Sequence, residues 1–107
     1  MGKRDAREEE LERLASLFRL LSDTTRLNLL MMLADGERNV TNLCEALELP
    51  QPTVSHHLGL LRMSNLIGNR RDGKQVFYSL NGRVDVSSGT LNIGTDAFAI
   101  RIQPRGV

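Results

Sequence analysis

The chain lacks much of what large classes of protein depend on. It has one cysteine in 107 residues, so it closes no disulfide within itself and builds no multi-cysteine metal cluster. No apolar run reaches the length that crosses a bilayer. The first residues are charged where a secretory signal needs an apolar stretch, so the expectation is a cytoplasmic protein with no membrane attachment. Nucleophile–base constellations, a phosphate-cradling glycine loop and paired carboxylates beside a histidine are all missing, which argues against an enzyme. Repeats and low-complexity segments are missing too. Charge of one sign is also scarce: the net value is +1.

What charge there is falls unevenly. Residues 1–47 carry seven Lys/Arg and nine Asp/Glu, or −2, and residues 48–107 carry seven and four, or +3. The acidic bias lies in the first helical stretch and the basic bias in and beyond a hairpin-like stretch that starts at residue 66, an asymmetry that suits one face turned to phosphates. The length is that of one domain with a small core.

From Glu8 the pattern EEELERLASLFRLLSD predicts a helix, with acidic residues in its first turns where the helix dipole favours them. Residues before it read as frayed. Leu11, Leu14, Phe18 and Leu21 form a stripe that Leu17 and Leu20 widen. That is more apolar surface than one side of a helix needs, so the helix is expected to face its own core and a partner subunit. Ser22 or Asp23 can cap a second helix with Leu27, Leu30, Met31 and Ala34 on one face and Gly36 as its stop. Residues 37–40 can pair as an isolated strand. Thr41 can cap a third helix, residues 42–48, with Leu43, Ala46 and Leu47 inward.

Residues 49–80 organise the rest. Gln51-Pro52 suits a helix start, because proline fits the first helical position. Val54, Leu58 and Leu61 mark a buried stripe at helical spacing, while Pro52, Ser55, His56, Gly59 and Arg62 share the opposite face. Gly59 either relieves crowding against another helix or allows close approach to a nucleic-acid backbone. The helix should fade near Ser64-Asn65. Asp72-Gly73 then joins two strand-like runs in a hairpin signal, with Arg70, Arg71 and Lys74 crowding the tip. Two helices joined by a tight turn, then a basic hairpin, form a helix-turn-helix with a wing, shaped to lie on a duplex. The candidate DNA contacts are Gln51, Thr53, Ser55 and His56 for base edges or nearby phosphates, and Arg62, Arg70, Arg71 and Lys74 for the backbone or minor groove.

Beyond Leu80 the period changes. Val84 and Val86, Leu91 and Ile93, and Phe98, Ile100 and Ile102 alternate with polar residues, with breaks at residues 87–89 and 94–96. This is strand spacing, with too much apolar surface to leave in water at about 25 cal/mol per Å². The fold class expected is mainly α with a small β part. A winged helix-turn-helix domain spans residues 1–80, and a strand-like extension spans 81–107, packed on the first helix or on a partner subunit.

Three segments carry a family likeness: LFRLLSDTTRLNLLMMLADGE (17–37), VTNLCEALELPQPTVSHHLGLLRMSNLI (40–67) and RRDGKQVFYSL (70–80), together 60 of the 107 residues. In order and spacing they resemble the ArsR/SmtB family of bacterial winged-helix repressors. The resemblance implies a homodimeric operator-binding repressor, released from DNA by a metal ion or another signal. Dimerisation is expected through the first helix (Leu11, Leu14, Phe18, Leu21) and the C-terminal tail, which is strand-like where the family has a helix.

The family's metal sites do not carry over. Where arsenic-sensing members have their first two thiols this chain has Asn39 and Thr41, leaving only Cys44, and one thiolate holds no soft metal unaided. The tail has no histidine to serve a zinc site. His56 and His57 are adjacent on one helix and point about 100° apart, a poor chelate. His57 matches a family position near the core and reads as a hydrogen-bonded structural histidine. No metal and no cofactor is assigned. Cys44 is either a small apolar packing residue or the candidate thiol sensor of a redox-responsive repressor. The other class is a winged-helix protein-interaction module without DNA binding; against it, the exposed helix face carries no aromatic or aliphatic anchors.

Overall fold

In a computed structural model, residues 5–105 are described. Four helices and six strands follow one another as α1 (Ala6–Leu21), α2 (Thr24–Ala34), β1 (Arg38–Asn39), α3 (Val40–Leu47), α4 (Gln51–Met63), β2 (Ile67–Asp72), β3 (Gln75–Leu80), β4 (Val84–Ser87), β5 (Thr90–Gly94) and β6 (Ala99–Ile102). The strands form two antiparallel sheets, ordered β1-β3-β2 and β4-β5-β6. One apolar cluster joins the helices to both sheets, from Leu17, Leu29, Leu30 and Leu43 through Val54, Leu58, Leu61 and Ile67 to Val84, Leu91 and Ile93.

α1 starts earlier than Glu8, because the Asp5 carboxylate accepts the Glu8 N–H at 2.8 Å and caps it. Its apolar residues split between two faces. Leu17 and Leu21 are buried, whereas Leu11 and Phe18 stay 46% and 53% exposed. Leu21 therefore belongs to the protomer's own core and not to the outward stripe. Asp23 takes the cap of α2, accepting the Arg26 N–H at 3.0 Å. The inward face of α2 centres on Leu29, Leu30 and Leu33, with Leu27 and Ala34 half-buried against the same core; of the expected face only Met31 is exposed. Continued one turn back, this stripe includes Arg26, so a polar residue disguised its start.

α3 begins at Val40, two residues earlier than a Thr41 cap allows, because Asn39 caps it with its side-chain oxygen on the Asn42 N–H at 2.7 Å. Leu43 is buried and Leu47 half-buried, but Ala46 faces solvent. Glu48, at φ 56°, turns the chain toward α4. In α4 the buried residues are Val54, Leu58 and Leu61, as their spacing predicts. The helix closes in a Schellman turn: Asn65, at φ 60°, donates to the Arg62 carbonyl and Leu66 donates to the Leu61 carbonyl. That turn delivers buried Leu66 and Ile67 into the wing.

The wing register is Asp72 opposite Gln75, so its two-residue turn is Gly73-Lys74, one position later than Asp72-Gly73. Gly73 alone of the two has a positive φ, at 63°. β1 pairs with β3, Asn39 opposite Phe77, and ties the wing's inner strand to the start of α3.

The tail is β-structure. Val84, Ile93 and Ile100 stand in one row across β4, β5 and β6, and Val86, Leu91 and Ile102 in the next, so one face is apolar. Val84, Leu91 and Ile93 are buried, while Val86 and Phe98 remain exposed. Ser88 and Gly89 both have positive φ, the requirement of a tight type I′ hairpin turn. Arg83 fastens this sheet to the helices: its Nη1 donates to the Ser64 carbonyl at 2.7 Å and its Nε to the Gly94 carbonyl at 3.0 Å.

Candidate nucleic-acid interface

Burying Val54, Leu58 and Leu61 against the core leaves the other side of α4 in solvent. Gln51, Thr53, Ser55 and His56 are exposed along its first two turns, and Arg62 is exposed in its last. Among the described residues the side chains of Gln51, Thr53, Ser55 and Arg62 make no hydrogen bond or ion pair. An amide, two hydroxyls and an imidazole are thus held open, each able to donate and accept. Pro50 at the helix start offers no side-chain cap, so the positive end of the α4 dipole is also uncovered. At Gly59 an added Cβ meets nothing within 4 Å. It therefore relieves no crowding inside the protomer, and the flat spot lies on the open face.

A polar network fixes α4 from behind. Arg26 reaches from α2 to donate its Nε to the Leu20 carbonyl at 2.6 Å, and its Nη1 lies 3.1 Å from His57 Nδ1. Arginine only donates, so Nδ1 accepts and the ring proton sits on Nε2. Asp23 Oδ1 is 3.8 Å from the same nitrogen. Its carboxylate is held below its ordinary range, first by the Arg26 backbone N–H and then by the Arg26 charge, against partial desolvation. His57 is the hydrogen-bonded structural histidine expected. Its ring meets His56 edge to face, with centroids 5.4 Å apart, so the network extends to the exposed face. Sequence reading missed Arg26; its signal was the Asp-x-x-Arg spacing of a capping residue and the third helical position.

The three wing cations are not equivalent. Neighbouring strand residues point to opposite faces, so Arg70 and Arg71 diverge. Arg71 and Lys74 are exposed and unpaired among the described residues. Arg70 lies across Phe77, its guanidinium carbon 4.6 Å from the ring centre, and grips Glu37 with two bonds, Nε–Oε2 at 2.9 Å and Nη2–Oε1 at 2.7 Å. The pairing lowers Glu37 below its ordinary value and raises Arg70. Arg70 is thus already engaged by a carboxylate, and Glu37 went unnoticed in the sequence. Cys44 sits half-buried in α3 against the core. Among the described residues no group of three or more His, Cys, Asp or Glu is placed to hold a metal ion, and no helix is long and apolar enough to cross a membrane.

Residues 23–68, from the α2 cap to the first wing strand, match the family model described as bacterial regulatory protein, arsR family. Over 64 residues the chain is 48% identical to the HTH-type transcriptional regulator KmtR of Mycobacterium tuberculosis, covering 60% of this chain and 49% of that one. Over 69 residues it is 45% identical to the arsenical resistance operon repressor of Escherichia coli, covering 64% of this chain and 59% of that one. It thus spans about half to three-fifths of the length of these relatives. Among solved structures it resembles the homodimeric winged helix-turn-helix DNA-binding domain from Mycobacterium bovis, with a TM-score of 0.67 and 30% identity over 77% of this chain and 76% of that one. The family match takes in α2, α3, α4 and the start of the first wing strand, and with these relatives beside it the chain belongs to the arsR family of bacterial regulatory proteins.

Proposed function

We propose that the chain is a sequence-specific DNA-binding transcriptional regulator, acting as a homodimeric repressor in the cytoplasm. The observation that carries this reading is the open row Gln51, Thr53, Ser55 and His56 on a helix whose other side is locked by apolar burial and by Arg26. In the major groove this row would read base edges, with Arg62 near a phosphate. Arg71 and Lys74 would add backbone contacts from the wing, raising affinity more than specificity. The E. coli relative is named an operon repressor and the M. bovis domain homodimeric, which supports repression and a twofold assembly. The dimer surface we assign is Leu11, Leu14 and Phe18 of α1, extended by the tail. Half-sites of an inverted repeat would lie about 34 Å apart. No metal or cofactor is assigned, and Cys44 is kept as the candidate thiol sensor. A gel shift with the chain's own upstream region and random competitor DNA tests the reading. Retention of a specific band under excess competitor is expected, and equal competition by random DNA would refute sequence preference.

A further inference from the structure

The wing's Arg70 has the fork geometry that takes two oxygens of a phosphate, yet both of its gripping N–H groups already hold Glu37. The arrangement is built by the sheet. Arg70, Phe77 and Asn39 are cross-strand neighbours on β2, β3 and β1. Glu37 precedes β1 by one residue, so Arg70 lies over the Phe77 ring and reaches it across β3. Asp72 adds a second carboxylate 3.8 Å from Arg70 Nη1. The near face of the wing is thus neutralised from within the protein, while Arg71 and Lys74 remain open.

We propose that Glu37 is an affinity-setting residue: its carboxylate occupies the fork of Arg70 in place of a DNA phosphate and limits the wing to two free cations. Phosphate contacts strengthen specific and random binding alike. Holding one back keeps non-specific affinity low and leaves discrimination to the α4 row. This rests on the DNA-binding reading above.

The test compares wild type, E37Q, R70A and E37Q/R70A by fluorescence anisotropy on a duplex from the chain's own upstream region and on a random duplex, across a salt series. Gln keeps the shape and removes the charge. E37Q is expected to bind both duplexes about two- to fivefold tighter, the size of an exposed ion pair. The slope of log affinity against log salt should steepen by about 0.9, one further phosphate neutralised. In the R70A background the substitution should do nothing. Unchanged or weaker binding by E37Q, or a gain that persists without Arg70, overturns the proposal and makes Glu37 a prop for the wing. Failure of all four proteins to bind either duplex removes the DNA-binding reading, and the proposal with it.

Discussion

Arg26 Nη1 lies 3.1 Å from His57 Nδ1, while Arg26 Nε caps the Leu20 carbonyl. One side chain therefore joins the end of α1, the start of α2 and the inner side of α4. Arg26→Ala leaves a carbonyl and an imidazole nitrogen partly buried without a donor, at about 1–3 kcal/mol. Urea unfolding should show that loss, and specific DNA affinity should fall by more than random affinity because the α4 row loses its rear support. Arg26→Lys should recover little, since an ammonium cannot span both acceptors.

On the exposed row, Ser55→Ala or His56→Ala should cost about 1–3 kcal/mol on the best site and less on random duplex. Equal binding by wild type and the double variant, measured by gel shift, would remove α4 from the groove.

The wing cations should separate in a salt series. Arg71→Ala is expected to flatten the salt slope by about 0.9. Arg70→Ala should flatten it much less, because Glu37 already neutralises that guanidinium.

Acid should loosen the start of α2. The folded Asp23 carboxyl lies below its ordinary value, chiefly through the Arg26 N–H. Its contribution is present above the unfolded carboxylate value of about 3.9 and is lost as pH falls through the folded value. Asp23→Asn keeps a capping oxygen and removes the titration, so urea midpoints below about pH 4 should depend less on pH in the variant than in wild type. Parallel curves would assign the acid response elsewhere, with Glu37, lowered by Arg70, as the next group.

The tail should matter to stability. Leu91→Ala should cost about 2–5 kcal/mol, as for other fully buried leucines. Truncation after Leu80 should lower Tm further by removing Val84, Leu91 and Ile93 from the shared core. A truncated protein with unchanged Tm, dimer and DNA affinity would make the tail an ornament.

The elements most legible in the sequence were those a local period determines. Val54, Leu58 and Leu61 could face only one way on a helix, and the tail's alternation admitted only strands. What depended on tertiary pairing was not legible. Asn39 and Thr41 are both good caps, and the pairing of Asn39 with Phe77 accompanies the earlier start of α3. The one-position slip of the wing turn has the same origin, since register is a property of two strands. Arg26–His57 and Arg70–Glu37 join residues 31 and 33 positions apart, beyond the reach of any helical or strand repeat. Hence the sequence located the wing cations but did not distinguish the engaged one from the open ones.

Arg83 touches both the carbonyl that ends α4 and the carbonyl that ends β5, and only residues 81–83 separate the wing from the tail sheet. The exit of α4, the base of the wing and the C-terminal sheet are therefore coupled as one lever. In a twofold dimer that gripped through the tail, as proposed above, the angle between the two α4 helices would be set at this joint. The number of base pairs between half-sites would then depend on residues 81–102, at a distance from the α4 row.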